Sequence, residues 1–375
     1  MKSVSFSALL RCAGLIAIAL VAVAIPSVDH VDATAVASFF VMSNKSSGNS
    51  VITFVRAPDG SLTRQQEVFT HGMGTGGSND PLGSQGALAL TPQFFTVLAV
   101  NPGSNEISGL ATVQGKLRFV SKINSGGTFP ASVALFGVAG LVLNKKGTPN
   151  LASFIAEENG TLFPVSATFN LPGGVTANPV QASITHDGAN VIVTESGTNQ
   201  IDVFPRPGGA IMAAAAYPSA GGTPSGFGLT TSGVLVVAES NGGAAGAGSV
   251  SSYQIMSDHS LSLISGAVGN GQTGSSKLVI APKNRYAFVS NTSSDSISSY
   301  SLDQTGHLSP VSAVAATTGA GSAPIDLVMS GDGKYLYVIC SKTGTIQGFQ
   351  VSGGVLTSLP TTASVPRSAQ GIVGR

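Results

Sequence analysis

The stretch that decides the fold runs from residue 179 to residue 204 and reads PVQASITHDGANVIVTESGTNQIDVF. A second stretch, from residue 324 to residue 349, repeats its pattern as PIDLVMSGDGKYLYVICSKTGTIQGF. Each contains a proline, an apolar run, an Asp-Gly turn, a second apolar run, a small polar turn and a third run. Short apolar runs joined by tight turns predict antiparallel strands.

This unit recurs along the chain. The second apolar runs end at Asn44, Asn101, Asn144, Glu195, Glu239, Asn291 and Cys340, and the intervals between them average about 49 residues. A period of that length accommodates four short antiparallel strands, which is one blade of a β-propeller. The repeat therefore predicts an all-β fold, a seven-bladed β-propeller.

The first strands predict how the ring closes. Six of them precede a second strand: Ser84–Leu90, Pro130–Leu135, Pro179–Ile184, Pro224–Leu229, Ser275–Ile280 and Pro324–Met329. The run Phe39–Met42 has no such partner upstream, whereas Ser368–Val373 resembles Ser84–Leu88. We therefore expect one domain, residues 38–375, closed by a carboxyl-terminal strand that pairs into the first blade and removes an open edge. The alternative, an open β-solenoid, explains neither the missing strand nor the spare one.

Composition limits the partners of the protein. Its 375 residues carry a net charge of +1 and only 9% charged residues, so no basic face for nucleic acid is expected. The 42% of hydrophobic residues excludes a disordered chain. The sequence contains no nucleophile elbow, no P-loop and no Cys/His spacing for zinc. We expect no cofactor and no metal, and we expect a monomer.

The amino terminus resembles a secretory signal peptide. Lys2 and Arg11 precede an apolar run and small residues, which predicts a signal peptide within residues 1–37, cleaved between about 24 and 37. The alternative is a signal anchor; no later segment is long enough to span a membrane. We expect a secreted, extracellular protein, free or associated with a cell wall. Cleavage of the signal peptide removes Cys12, one of the two cysteines. Cys340 is then unpaired and is expected to be buried. Three glycosylation sequons begin at Asn44, Asn159 and Asn291.

Polar side chains are predicted to form a rim around the central channel, because first strands start and second strands end on the same face of a propeller. The starts are Gln85, Ser132, Gln181, Gly226, Ser276, Asp326 and Gln370. Glu195 and Glu239 end second strands of adjacent blades, and two close carboxyl groups can serve as general acid and base. Gln181, Asn291, Gln85 and Asp326 are the candidate substrate-binding residues. In the alternative interpretation, these side chains only form hydrogen bonds with otherwise unpaired backbone groups near the channel.

Histidines fall into two groups. His186, His259 and His307 are expected in hairpin turns on the opposite face, where they contact solvent. His71 lies in a glycine-rich connection on the rim side, His71-Gly72-Met73-Gly74-Thr75-Gly76-Gly77. This connection is either a lid over a binding site that includes His71 or merely a long loop.

The repeats resemble those of the seven-bladed lactonase family, which includes bacterial 6-phosphogluconolactonase and fungal carboxymuconate cyclases. The clearest stretches are 191–204, 233–240 and 285–297. The resemblance implies a lactone-hydrolysing or lactone-forming enzyme, with Glu239 matching a glutamate of the family and Glu195 an acidic position.

Other family positions differ in this chain. Gln181 stands where the family has histidine, Pro224-Ser225-Gly226 stands for Pro-Arg-His, and Ser290-Asn291-Thr292 stands for Ser-Asn-Arg. Arginines in such a rim hold anionic substrates, so a neutral lactone fits better than a phosphorylated one. Lys277, one position past Ser276, is expected to turn away from the channel.

Two functions therefore stay open. The first is a lactonase or cyclase that acts on a small-molecule lactone. The second is a non-catalytic extracellular propeller, such as an antigen, an adhesin or a carbohydrate-binding module.

Overall fold

The computed structural model describes residues 38–91 and 96–374, so the predicted signal peptide lies outside the described residues. Seven four-stranded antiparallel sheets, numbered here as blades 1 to 7, make up the fold. Blade 1 contains β1 Ser38–Met42, β2 Ser50–Arg56 and β3 Leu62–Phe69, and blade 2 contains β4 Leu88–Leu90, β5 Thr96–Asn101, β6 Glu106–Val113 and β7 Lys116–Asn124. Blade 3 contains β8 Thr128–Phe136, β9 Ala139–Lys146, β10 Asn150–Ala156 and β11 Leu162–Asn170. Blade 4 contains β12 Pro179–Ile184, β13 Asn190–Glu195, β14 Gln200–Pro205 and β15 Ala215–Pro218.

Blade 5 contains β16 Pro224–Leu229, β17 Val234–Glu239, β18 Ser249–Ile255 and β19 Leu261–Gly269. Blade 6 contains β20 Ser275–Ile280, β21 Tyr286–Asn291, β22 Ser296–Leu302 and β23 Leu308–Thr317. Blade 7 contains β24 Pro324–Met329, β25 Tyr335–Cys340, β26 Thr345–Ser352 and β27 Val355–Ser364. The last strand, β28 Ile372–Gly374, belongs to blade 1. Four short 3₁₀ turns at Gly174–Thr176, Pro207–Gly209, Asn241–Gly243 and Pro282–Asn284 are the helical elements among the described residues. The predicted all-β, seven-bladed propeller is confirmed.

Burial falls from the second strand of each blade to the fourth. Every residue of β13, β17 and β25 is buried, and these strands are rich in valine, isoleucine and leucine, which pack well on a pleated surface. The outer strands β3 and β11 have mostly exposed or half-buried residues. The apolar core therefore lies between the faces of neighbouring blades.

The ring closes at blade 1 as predicted. Strand β28 pairs antiparallel with β1, in the register Phe39–Gly374, Phe40–Val373 and Val41–Ile372. Two more backbone hydrogen bonds join Met42 to this segment, from its amide to the Gly371 carbonyl and to its carbonyl from the Gln370 amide. The inner strand of blade 1 therefore comes from the carboxyl-terminal end of the propeller.

The inner strand of blade 2 is shorter than predicted. The sequence indicates Ser84–Leu90, whereas β4 begins at Leu88. The preceding residues pair with other blades instead, because the Gln85 amide donates to the Val180 carbonyl and the Gly86 carbonyl accepts from Val133.

Cys340 is free and buried at the end of β25, as predicted. Burial raises the pKa of its thiol to about 12, so the group stays neutral and packs as a small apolar side chain. Among the described residues, no helix is long and apolar enough to cross a membrane.

Candidate functional site

Glu239 is buried at the end of β17 and accepts four hydrogen bonds. The donors are the hydroxyls of Ser219 (3.0 Å), Ser249 (2.7 Å) and Ser251 (2.6 Å) and the Gly221 amide (2.8 Å). Ser219 and Gly221 belong to the linker that enters blade 5 from blade 4, while Ser249 and Ser251 lie on β18. The carboxylate therefore fastens the incoming linker to its own blade, and its catalytic role stays a prediction.

Glu195 has the equivalent place in blade 4. It is buried at the end of β13, accepts from the Gly173 amide of the incoming linker at 3.0 Å, and accepts from the Thr198 hydroxyl. Neighbouring Asp202, on β14, is also buried, and no donor among the described residues reaches either of its oxygens. Burial and then the nearby Glu195 raise the pKa of Asp202 to about 9. A protonated Asp202 carboxyl can donate a hydrogen bond to Glu195.

Asn291 repeats this arrangement in blade 6 with an amide. Its Nδ2 donates to the Ser298 and Ser296 hydroxyls, and its Oδ1 accepts from Ser275 and Asn270 in and before β20. The side chain is fully buried. The predicted site residues that end second strands thus face the linkers between blades, and the described hydrogen bonds bring none of them to another.

Gln85 and Gln181 connect inner strands by pairing with backbone. Gln181 accepts from the Phe227 amide at 2.8 Å and donates to its carbonyl at 3.1 Å, which joins blade 4 to blade 5. Gln85 pairs in the same way with Leu278, at 3.1 and 2.7 Å, although blades 2 and 6 are not neighbours in the ring. Gln85 therefore bridges the central channel, and both amides are half-buried.

A charged cluster lies next to this bridge. Lys277 is 1% exposed, and its Nζ is 2.7 Å from Asp80 Oδ2. Gln370 Nε2 donates to Asp80 Oδ1 at 2.6 Å. The expectation that Lys277 turns away from the channel is wrong. A register shift at Ser275/Lys277 interrupts the alternation of β20, and the ammonium reaches the inner ring.

Asp326 and Lys145 complete this central cluster. Asp326 Oδ2 accepts from the Gly371 amide at 3.1 Å and Oδ1 from the Leu327 amide at 2.9 Å. Burial raises the pKa of Asp326 to about 7, against the opposing effect of Lys277. Burial lowers the pKa of Lys145 to about 8, which Asp80 partly opposes. Asp326 and Lys145 thus have pKa values near neutral pH, as general acids and bases do, and the charges of Asp80 and Lys277 act on both of them.

Sequence reasoning missed part of this cluster. Lys145 and Lys277 each directly follow a rim position, Asn144 and Ser276, and that adjacency was the available signal. Asp80 lies in the connection between blades 1 and 2, and only the folded structure brings it to Lys277. Of the predicted site residues, Asp326 is a member of the cluster and Gln85 borders it.

His71 lies outside the cluster. Its side chain is exposed and packs on Phe119 of β7, with ring centroids 4.4 Å apart. Its carbonyl accepts from Lys122 Nζ at 2.8 Å. The histidine is thus held on the outer strand of blade 2, and its predicted part in substrate binding stays a prediction.

Hairpin turns form two open grooves. One, of about 480 Å³, is lined by His186, Asp187 and His259 among others, and His259 Nδ1 is 2.8 Å from Asn190 Oδ1. The other, of about 570 Å³, is lined by Lys283, Arg285 and Asp303 among others. Within residues 38–91 and 96–374, no three potential metal-ligating side chains converge.

Comparisons with known proteins agree with the fold. Residues 251–370 match the family model described as "Lactonase, 7-bladed beta-propeller". None of the curated protein sequences matches the chain. A candidate 6-phosphogluconolactonase from Bacteroides fragilis has a similar structure, with 19% identity, a TM-score of 0.73, and coverage of 92% of this chain and 99% of that one. The periplasmic gluconolactonase PpgL of Pseudomonas aeruginosa is 16% identical, with a TM-score of 0.72 and coverage of 90% and 99%. The resemblance to the lactonase propellers is confirmed.

Proposed function

We propose that this propeller hydrolyses a small lactone in its central channel, beside Asp326, Lys277 and Lys145. The observation that carries the proposal is the buried carboxyl of Asp326, whose pKa is raised to about 7 although the ammonium group of Lys277 acts to lower it. A general base is most effective when its pKa lies near the working pH. The match to the lactonase model and the gluconolactonase among the similar structures support the choice of a lactone.

The chemistry needs three tasks. A base takes a proton from water as the water oxygen attacks the lactone carbonyl, and we assign this task to Asp326. The oxyanion that forms is stabilised by a cation or an amide donor, which Lys277, Lys145 and Gln370 supply. The ring C–O bond then breaks, its oxygen takes up the proton that Asp326 removed from water, and a hydroxy acid leaves with Asp326 again unprotonated. No cofactor enters this reaction.

The test is turnover of a panel of neutral and anionic lactones by Asp326→Asn. General acid–base groups contribute about 10²–10⁴ in rate, so kcat should fall by that factor. The matched control is Asp303→Asn, an exposed turn carboxylate that bonds to Thr305 and His307, which should retain full activity. Turnover that survives Asp326→Asn with unchanged kcat would remove Asp326 from the reaction.

A second candidate function is supported by a different observation. Residues 77–83, named here the strap, lie over the central cluster and occupy the contacts that a substrate would need. A channel filled by its own chain suits a non-catalytic extracellular propeller that binds carbohydrate or acts as an antigen or adhesin. Absence of turnover across the lactone panel, together with saturable binding to a glycan array or a cell-wall preparation, would favour it.

We also propose that the protein acts outside the cell, after removal of the predicted signal peptide. Among the three sequons, Asn159 is exposed in a turn, whereas Asn44 and Asn291 are buried. If the host glycosylates the chain, a single glycan at Asn159 is therefore compatible with the fold. Mass spectrometry of the secreted protein before and after enzymatic deglycosylation tests both points.

A further inference from the structure

The strap is attached to the rest of the molecule without being part of any sheet. The Asn79 amide donates to Ser341 Oγ at 3.1 Å, the Leu82 amide donates to Gln370 Oε1 at 2.9 Å, and Lys145 Nζ donates to the Gly83 carbonyl at 2.7 Å. The Leu82 side chain is buried in the apolar core and also holds the strap in place. Side chains from several blades thus hold a segment that has no strand partner of its own.

The strap backbone is held in an unfavourable conformation. Gly77 and Gly83, at its two ends, have φ values of 85° and 53°. Between them, Asn79 and Asp80 both have φ 63°, a left-handed conformation that residues with a Cβ adopt at a cost. Conformations of this kind persist only where surrounding contacts impose them. Asp80 is held in this conformation through its carboxylate, which contacts the buried side chains of Lys277 and Gln370.

The carboxylate of Asp80 is bound by two buried donors. One of its oxygens is 2.7 Å from Lys277 Nζ and the other is 2.6 Å from Gln370 Nε2. Lys277 is 1% exposed and Gln370 is fully buried. Neither belongs to the strap: Lys277 is on β20, and Gln370 precedes β28. The two donors are therefore positioned by the ring, and Asp80 is the occupant that the chain itself provides.

We propose that Lys277 and Gln370 form a subsite for the carboxylate of a hydroxy acid, and that Asp80 is an internal competitor for it. The strap must then be displaced, about its terminal glycines, before a ligand binds. The inference rests on the proposed function in one respect, because hydrolysis of a lactone converts its ester carbonyl into a carboxylate. The subsite holds the product and favours ligands that bear a carboxylate over neutral ones.

The test of the subsite is chemical rescue of Asp80→Gly. Glycine suits the left-handed conformation at this position, so the substitution removes the carboxylate and leaves the two donors facing a gap. Lys277 then lacks its ion-pair partner, and the melting temperature should fall by several degrees. Sodium acetate at 50 mM should restore most of this loss, whereas sodium chloride at the same ionic strength should not. In Asp80→Gly/Lys277→Met, acetate should have no more effect than chloride.

The test of displacement uses Asp80→Asn, which retains the side-chain shape, with D-gluconate as the hydroxy acid and inorganic phosphate as the comparison anion. In calorimetry, Asp80→Asn should bind gluconate at least tenfold more tightly than the wild type and more tightly than phosphate. In the wild type, saturating gluconate should accelerate hydrogen exchange at the Leu82 amide. This variant also serves if Asp80→Gly does not fold.

Two results would overturn the inference: equal effects of acetate and chloride on Asp80→Gly, or equal gluconate affinities of wild type and Asp80→Asn. Both readouts measure binding, so they stand even if no lactone is turned over. Loss of turnover in Asp326→Asn with intact acetate rescue separates the reaction from the subsite.

Discussion

One position on the third strand carries a carboxyl group in blade 4 and a hydroxyl group in blades 5 and 6. Asp202, Ser251 and Ser298 have the same register position on the third strand, opposite Val193, Val237 and Val289. At the ends of the second strands, Ser251 donates to Glu239, whereas Ser298 accepts from Asn291 Nδ2. Asp202 lies next to Glu195 instead, and burial together with Glu195 raises the pKa of Asp202 to about 9. The repeat therefore contains one position at which a hydroxyl would fit better than a carboxyl.

Asp202→Ser should stabilise the protein. The serine hydroxyl donates to Glu195 as Ser251 does to Glu239, and it removes a buried carboxyl without a donor. Relief of a buried unsatisfied group corresponds to about 1–3 kcal/mol in the free energy of unfolding. The melting temperature at pH 7.5 measures it. The matched control is Ser251→Asp, which should destabilise blade 5 by the same mechanism, and stabilisation by both substitutions would contradict this explanation.

Glu239→Gln should lower stability. Its carboxylate accepts four hydrogen bonds, whereas a glutamine has one oxygen to accept them and a buried nitrogen that must donate. We expect a loss of about 1–3 kcal/mol in the free energy of unfolding, measured by chemical denaturation. If stability is unchanged and lactone turnover is abolished, Glu239 is instead the acid or base that the sequence suggests.

Among the elements, the inner strands were the most predictable. Strands β12, β16, β20 and β24 have the predicted bounds, because turns delimit each apolar run and three of the four strands begin with a proline. The strand ends were also predictable, but not the neighbours of their side chains. Those neighbours depend on the linker that arrives from the previous blade, and the position of Asp80 depends on contacts nearly 200 residues away. Such contacts are set by tertiary packing and leave no local pattern.

Removal of residues 368–375 should destabilise the entire ring. The truncation deletes β28 and its pairing with β1, exposes Phe40 and Val41, and removes the buried Ala369, Gln370 and Ile372. The expected loss is several kcal/mol, comparable with a total stability of roughly 5–15 kcal/mol. Calorimetry should show a much lower melting temperature, partly restored by a synthetic peptide of residues 368–375. A truncated protein that melts like the full chain would disprove the closure.

At the scale of the molecule, stability should decrease as pH rises from 5 to 8. Burial raises the pKa of Asp202 to about 9 and that of Asp326 to about 7. The folded state therefore retains protons that the unfolded state releases above about pH 4, and stability is lost as pH rises through the folded values. Lys145, whose pKa is lowered to about 8, acts in the opposite direction, and only above that pH.

Melting temperatures at pH 5, 6, 7 and 8 in buffers of equal ionic strength measure this slope. Asp202→Ser should remove the larger part of it, because Asp202 has the larger shift. Asp303→Asn, which changes an exposed turn, serves as the control. A melting temperature that is constant or rises over this range would show that the buried carboxyl groups are ionised in the folded protein.

The closure of the ring also sets an order in time during synthesis. The Ser43 carbonyl accepts a hydrogen bond from the Ser368 hydroxyl, and the ribosome adds Ser368 to the chain 325 residues after Ser43. At about 5–20 residues per second this interval is roughly 15–65 s. For that time the first blade has an edge with no inner strand, which nascent chains or a chaperone can contact. Blades 2 to 7 each receive their inner strand before their outer ones, so the oldest part of the propeller is the last to be completed.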